Sequence, residues 1–480
     1  MTAVGAPTVG AGQIQTWGDD PGAPDAPHLL IARPRPRLGA APLPTQITEP
    51  EPAAGADLSP GTPGFRYWVA AEALRRGSDL WGATIGAGAR WHAAVGAVLP
   101  VELDAGPDLN AFYDRQALRF FHDEVAGITC FSGASGDVIN HEQGHAVLDA
   151  LCPQLFDTPF IEAAALHESF GDMSAMLCAL QLESIRTAVI EETGGRVGTN
   201  STLSRCAEQL GWAIRRLVPD AVDGDSLRNA ANSWFYRDPA QLSPSGPAFQ
   251  LSSEPHSFSR VFSGAFLGAI GGMFALHGDP TATGLEVVSR DAAQLLRTGV
   301  ATSPVVPAYM SQVAAHMVAA DAQLFQGRYR RALLGAFLGH GILSLPSVDA
   351  VSPAVVGRKM AAAGGELEPP QTDLQRVTLP RDAFGLRGDL VVETPVQQRR
   401  FGVAGALPDV GSAAIPAPEH AAASFVEDLF RRGRVDIGDA GEEDAPLVRS
   451  GRPKSHELQP LDGDGFALVR RHFDCGFHAG

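Results

Sequence analysis

The run Asp137-Val138-Ile139-Asn140-His141-Glu142-Gln143-Gly144-His145, followed by Glu168-Ser169-Phe170-Gly171-Asp172, holds residue types that can bind a metal and use it. On a helix His141 and His145 stand at i and i+4, so both imidazoles leave one face, with Glu142 beside them. Two neutral imidazoles and one carboxylate fill three positions around a tetrahedral zinc. The fourth stays open for water, which the metal acidifies toward neutral pH. Glu142 is placed to take that water's proton. Glu168 lies in a second helical stretch and reads as the third ligand. Asp172, one turn later, can accept the free N–H of a ligating histidine and fix its tautomer. The plainer alternative is an acidic helix face beside two hydrogen-bonded histidines.

With these residues in place, the sequence resembles the thermolysin-like zinc endopeptidases, gluzincins whose third ligand is a glutamate, over about residues 63–345. Further segments carry the resemblance. Asn110-Ala111-Phe112-Tyr113 is similar to the family's edge strand, whose asparagine side chain and alanine carbonyl hold the substrate backbone as an added strand. Gly224-Asp225-Ser226-Leu227-Arg228 resembles the segment with the arginine that grips a substrate carbonyl, and His256-Ser257-Phe258-Ser259 the one whose histidine stabilises the oxyanion. Val138 and Leu227 match residues lining the apolar pocket after the scissile bond. Taken singly, Arg228 reads as a surface arginine, His256 as a polar loop histidine and Asn110 as a turn former. The neighbours and the order of the segments carry the functional reading.

The chain departs from the family's pattern in several places. The aspartate that orients the oxyanion histidine is replaced by Leu251, leaving Glu254 as the only nearby substitute. The assisting tyrosine has no counterpart, since the segment after His145 offers Phe156 and Phe160. Loss of one oxyanion donor typically costs about 10²–10³ in turnover. Of the family's calcium cluster Asp137 is retained, but Ala179 stands where a glutamate is expected, so no calcium site is assembled from the sequence.

A chain of 480 residues with 45% hydrophobic content can bury a large core and suggests two or three domains. A formal charge of −17 argues against nucleic acid and anionic membranes as partners, while the resemblance implies a peptide or protein substrate. Cys130, Cys152, Cys178, Cys206 and Cys475 are odd in number and lack C-x-x-C spacing, and read as buried small residues. The first residues lack the basic and apolar regions of a signal peptide, which gives a cytoplasmic expectation, although the family is generally secreted. The apolar run Val261 to Leu276 is short and Gly-rich for a membrane span and reads as a core helix.

These residues must be positioned by elements, and the expected fold class is an α+β two-lobe zincin. Residues 1–62, rich in Pro, Gly and Ala, read as a linker or loosely packed arm. Residues 63–155 form an N-terminal α/β lobe with a mixed sheet. It holds a helical pattern from Phe65 through Trp81, strands at Val98 to Leu103, Asn110 to Tyr113, Leu118 to Phe121 and Ile128 to Phe131, and a zinc helix from Val138 to Leu151. Residues 156–349 form a mainly helical lobe, with helices at Phe160 to Leu182, Ser201 to Leu217, Ser257 to Leu276, Leu285 to Thr298 and Val305 to Phe325. Residues 350–480 lie outside the resemblance. They read as a small α+β domain with strands at Leu374 to Leu379, Asp389 to Thr394 and Ala467 to Phe473, a helix at Ala421 to Arg432 and an acidic loop around Gly438 to Pro446.

The resulting expectation is a zinc endopeptidase that prefers an apolar residue after the scissile bond. One zinc is held by His141, His145 and Glu168; Glu142 and His256 are catalytic, and Asn110, Ala111, Val138, Leu227 and Arg228 bind substrate. The rival is a zinc-binding scaffold that engages a protein partner, motivated by Leu251, the missing tyrosine and the absent secretion signal. Glu142 argues against it, because a structural zinc needs no adjacent base.

Overall fold

The computed structural model describes residues 3–4, 9–24, 28–344, 357, 373–396, 416–441, 453–463, 465–474 and 476. Within them the chain is a mixed α+β protein with several small mixed sheets. Where residues 1–62 are described they include paired strands, unlike the loose arm expected. Strands β2 (Gln13–Trp17) and β3 (His28–Pro34) pair antiparallel, and β1 (Ala3–Val4) joins β3 in parallel. Helix α1 (Pro63–Ile85) begins where Thr62 accepts the Phe65 N–H, with Pro63 in its first turn. Its Phe65 meets Trp17 edge-on at 5.0 Å. Strand β4 (Thr45–Ile47) pairs in parallel with β5 (Leu99–Glu102), burying Ile47. Proline and glycine interrupt these strands within a few residues, too soon for a period of two to register in the sequence.

The sheet continues from β5 to β7 (Leu118–Phe120) in parallel, and β6 (Ala111–Tyr113) pairs antiparallel with β7. A second hairpin, β8 (His122–Val125) and β9 (Ile128–Phe131), turns through Ala126 and Gly127, both at positive φ as a two-residue hairpin loop prefers. Helix α2 (Gly136–Leu151) follows. Ser135 caps it by accepting the Val138 N–H, and the helix stops at Cys152 before Pro153. After the short α3 (Gln154–Asp157), α4 (Ile161–Ala179) crosses α2. Both helices are buried nearly all round, so their polar residues face protein instead of water. The crossing is close. A Cβ on Gly144 would lie 2.8 Å from Ser174 Cβ, and one on Gly171 only 2.5 Å from His141 Cε1.

Helix α5 (Glu183–Thr193) was not anticipated. The expected helix from Ser201 to Leu217 is a single 3-10 turn, strand β10 (Arg205–Cys206) and α6 (Glu208–Leu217), with β10 paired to β11 (Arg228–Asn229). The chain then forms α7 (Pro255–His277), α8 (Ala282–Thr302), α9 (Tyr309–Leu324) and α10 (Arg330–Gly339). Helix α7 is long and apolar enough to cross a membrane, but 72% of that stretch is buried in the protein, where α7 packs on α4 and α10.

In the C-terminal part, β12 (Leu374–Leu379), β13 (Asp389–Pro395), α11 (Pro418–Arg431), β14 (Val435–Asp436), β15 (His456–Pro460) and β16 (Gly465–Arg470) follow in turn. The strands form one sheet in the order β12-β13-β16-β15-β14. The expected strand from Ala467 to Phe473 is two strands. After Arg470 the chain leaves this sheet, and β17 (Phe473–Asp474) pairs antiparallel with β6 at the edge of the first. The acidic loop expected around Gly438 to Pro446 opens with a 3-10 turn at Gly438–Ala440, and its residues 442–446 lie outside the described residues, as does Cys475.

Candidate metal centre

Helix α2 supplies His141, Glu142 and His145, and α4 crosses it with Glu168 and Asp172. His141 Nε2 and His145 Nε2 lie 3.1 Å apart, and Glu168 Oε2 lies 3.5 Å from the first and 3.8 Å from the second. A tetrahedral site with bonds of about 2.0–2.1 Å has edges of roughly 3.3 Å, so these three atoms match one face of such a site. All three residues are buried and close enough to hold one metal ion. The other ring nitrogens are engaged. His141 Nδ1 lies 3.1 Å from Asp172 Oδ1, and His145 Nδ1 lies 2.8 Å from His167 Nδ1. With the protons on the two Nδ1 atoms, both Nε2 lone pairs point at the same space.

The electrostatics suit a metal. Burial, reinforced by the charges of neighbouring His141 and His167, holds the His145 pKa well below the usual histidine value, so its imidazole is neutral. Burial also pulls on His141, but hydrogen bonds to Asp172 and Glu168 outweigh it and raise its pKa to about 9. A cation between the rings therefore replaces a proton. A second grouping, His141, Asp172 and Cys206, is also close enough for one ion. There Asp172 is already paired with Arg228, Nη2 to Oδ1 at 2.7 Å, and burial drives the Cys206 thiol well up, away from the thiolate. The His141, His145 and Glu168 group is the better cation site.

Around it the predicted residues are placed as follows. The Glu142 carboxylate is fully buried on α2. His256, in the first turn of α7, puts Nε2 at 3.3 Å from Glu168 Oε2, and its Nδ1 lies 2.7 Å from Glu254 Oε1. Glu254 thus fills the orienting role, while Leu251 is buried among apolar side chains; Glu254 also caps α7 by accepting the Ser257 N–H. Burial opposes, but the charges of Glu168 and Glu254 prevail and raise the His256 pKa to about 9, so the ring is a cationic donor at neutral pH. Arg228 holds Asp172 with Nε and Nη2 and lines a cavity of about 270 Å³ with Glu168, Leu227 and His256. Asn110 Oδ1 accepts the Ala111 N–H at the start of β6. Val138 is buried and does not line this cavity.

No family model matches the chain, and no curated protein matches it either.

Two partners of the site were not anticipated: His167, bonded to His145, and Ser263, whose hydroxyl donates to Asp172 Oδ2 at 3.2 Å. A histidine next to Glu168 on an apolar helix offered a signal for the first; Ser263 offered none, because its partner lies on a different helix. The hydroxyls of Tyr113 and Tyr236 are committed elsewhere, to Asp149 and Glu162. Phe156 and Phe160, the side chains expected near the tyrosine position, are buried and carry no donor. Asp137 accepts the Ala207 N–H, and burial with the neighbouring Asp19 and Asp20 charges drives its pKa well up. Among the described residues Asp137 belongs to no group close enough to hold a metal.

Proposed function

We propose that the chain is a zinc-dependent endopeptidase of the two-lobe, thermolysin-like kind. The observation that carries this reading is the convergence of two helices and a third. The α2 and α4 residues His141, His145 and Glu168 enclose one cation position, Glu142 is the next residue on α2, and cationic His256 on α7 faces the same point. Two imidazoles and one carboxylate are the donor set of a catalytic zinc, and three protein ligands would leave its fourth position for water or substrate. Zinc bound there supplies a Lewis acid that polarises a carbonyl and acidifies water. Glu142 takes the proton of the attacking water and delivers it to the leaving amine. His256, held by Glu254, donates to the oxygen that becomes negative. Asp172, itself held by Arg228, fixes the ring of His141, and Asn110 with β6 offers a strand edge to the substrate backbone. Leu227 gives the cavity its apolar wall, which favours an apolar side chain after the scissile bond.

The test is a quenched-fluorescent peptide library offered to the purified, zinc-loaded chain. Cleavage before apolar residues that stops on chelation and returns with zinc is the expected result. Stoichiometric zinc without cleavage of any peptide favours the scaffold reading. One observation favours that reading too: the strand edge beside the metal centre is covered by the chain's own β17.

A further inference from the structure

The segment around Phe473 lies where a peptide substrate would lie. Strand β17 pairs antiparallel with β6, Phe473 opposite Tyr113 and Asp474 opposite Phe112. The backbone carbonyl of Asp474 accepts a hydrogen bond from His256 Nε2 at 2.8 Å. The Phe473 ring is stacked over His167 at 3.8 Å and over the metal-facing His145 at 5.2 Å, and it meets Phe156 edge-on. Gly476 follows so closely on Asn110 that an added Cβ would fall 2.4 Å from Asn110 Cγ. The strand edge, the oxyanion donor and the asparagine assigned to substrate binding are thus all engaged by one short run of the same chain.

The run is also tethered to the C-terminal sheet from which it comes. The Asp474 carboxylate pairs with Arg434 at 2.5 Å, and the Arg470 guanidinium lies 4.1 Å over the Phe473 ring while donating to the Phe156 carbonyl at 2.7 Å. His472 stacks on Phe112 of β6 at 4.7 Å. Backbone pairing at a sheet edge is the common mode by which extended peptides are held, and here an intramolecular strand has the advantage of a high effective concentration over any free peptide.

We infer that β17 is an internal pseudosubstrate: the C-terminal part holds Phe473 and Asp474 in the peptide groove and keeps the centre closed until the strand is displaced. This inference rests on the peptidase reading for its consequence, and on the β6, His256 and Phe473 geometry for the occlusion itself. The experiment uses the full-length, zinc-loaded chain and two variants, Phe473→Ala and Arg434→Ala, neither of which touches a proposed ligand or catalytic group by substitution. Folding is checked by the thermal melt. Two readouts are taken: affinity for a fluorescent dipeptide hydroxamate, which needs only the metal and an open groove, and kcat/KM on the best library peptide.

Both variants are expected to bind the hydroxamate at least tenfold more tightly than the unsubstituted chain and to cut at least tenfold faster. If Phe473→Ala does not fold, Arg434→Ala decides. Tighter probe binding with no cleavage by any of the three chains supports occlusion and removes the peptidase reading. Equal probe affinity in all three chains overturns the pseudosubstrate, whether or not they cleave.

Discussion

At the scale of single residues, the centre depends on side chains that never touch a substrate. His167 Nδ1 lies 2.8 Å from His145 Nδ1 and so helps set which nitrogen of His145 faces His141 and Glu168. Replacing it by the near-isosteric phenylalanine, His167→Phe, is expected to weaken zinc by about 10–100-fold, measured by chelator competition, as loss of such an orienting partner commonly does. An unchanged affinity would show that packing alone orients the ring. Gly171→Ala makes a sharper demand, since its Cβ would sit 2.5 Å from His141 Cε1. It should cost the protein its stoichiometric zinc, and full occupancy by metal analysis would contradict the placement of His141. The shared face of His141 and His145 was legible, because i, i+4 spacing on a helix fixes it. So was Glu254 as the stand-in for Leu251, because it lies two residues from His256. Ser263 was not, since only the fold brings its helix to Asp172, and His167 was signalled by no more than its place beside Glu168.

At the scale of elements, α4 is tied to α9 and to the Tyr236 loop by one carboxylate. Glu162 accepts the Tyr236 hydroxyl at 2.5 Å and the Met310 N–H at 2.9 Å. Burial nevertheless dominates these bonds and raises its pKa from 4.5 to about 7. The folded state therefore holds this proton more tightly than the unfolded chain. The stability it contributes is fully present below pH 4.5 and is lost as pH rises toward 7, a difference on the order of 3 kcal/mol. Glu162→Gln should flatten that part of the stability profile, measured by denaturant unfolding at pH 5 and pH 8. Parallel profiles for the two chains would rule Glu162 out as the cause. Long amphipathic or apolar helices, α7 and α8 among them, could be read from periodicity. The strands before residue 63 could not, because turn residues interrupt them. The split of the last strand after Arg470 was hidden as well, since both halves carry apolar residues and only tertiary pairing assigns them to different sheets.

At the scale of the whole molecule, the chain closes on itself: its last described strand forms one edge of a sheet whose other edge is β4. The C-terminal part was expected as an appendage, and nothing in residues 467–474 announced where they dock, since edge pairing uses backbone groups common to every sequence. A site formed from α2, α4 and α7 exists only in the folded protein, so zinc should stabilise it by about 4 kcal/mol at a free concentration a thousandfold above Kd. Removing zinc with a chelator should lower Tm by several degrees in calorimetry, and an unchanged Tm would place the metal outside this core. We propose that Glu142 performs chemistry beside a metal it does not hold. The most direct test is kcat for Glu142→Gln, made in the full chain and in the chain carrying Phe473→Ala, with zinc content measured on the same samples. A loss of about 10³-fold or more with one zinc retained is the predicted result. Turnover that survives the substitution would contradict it.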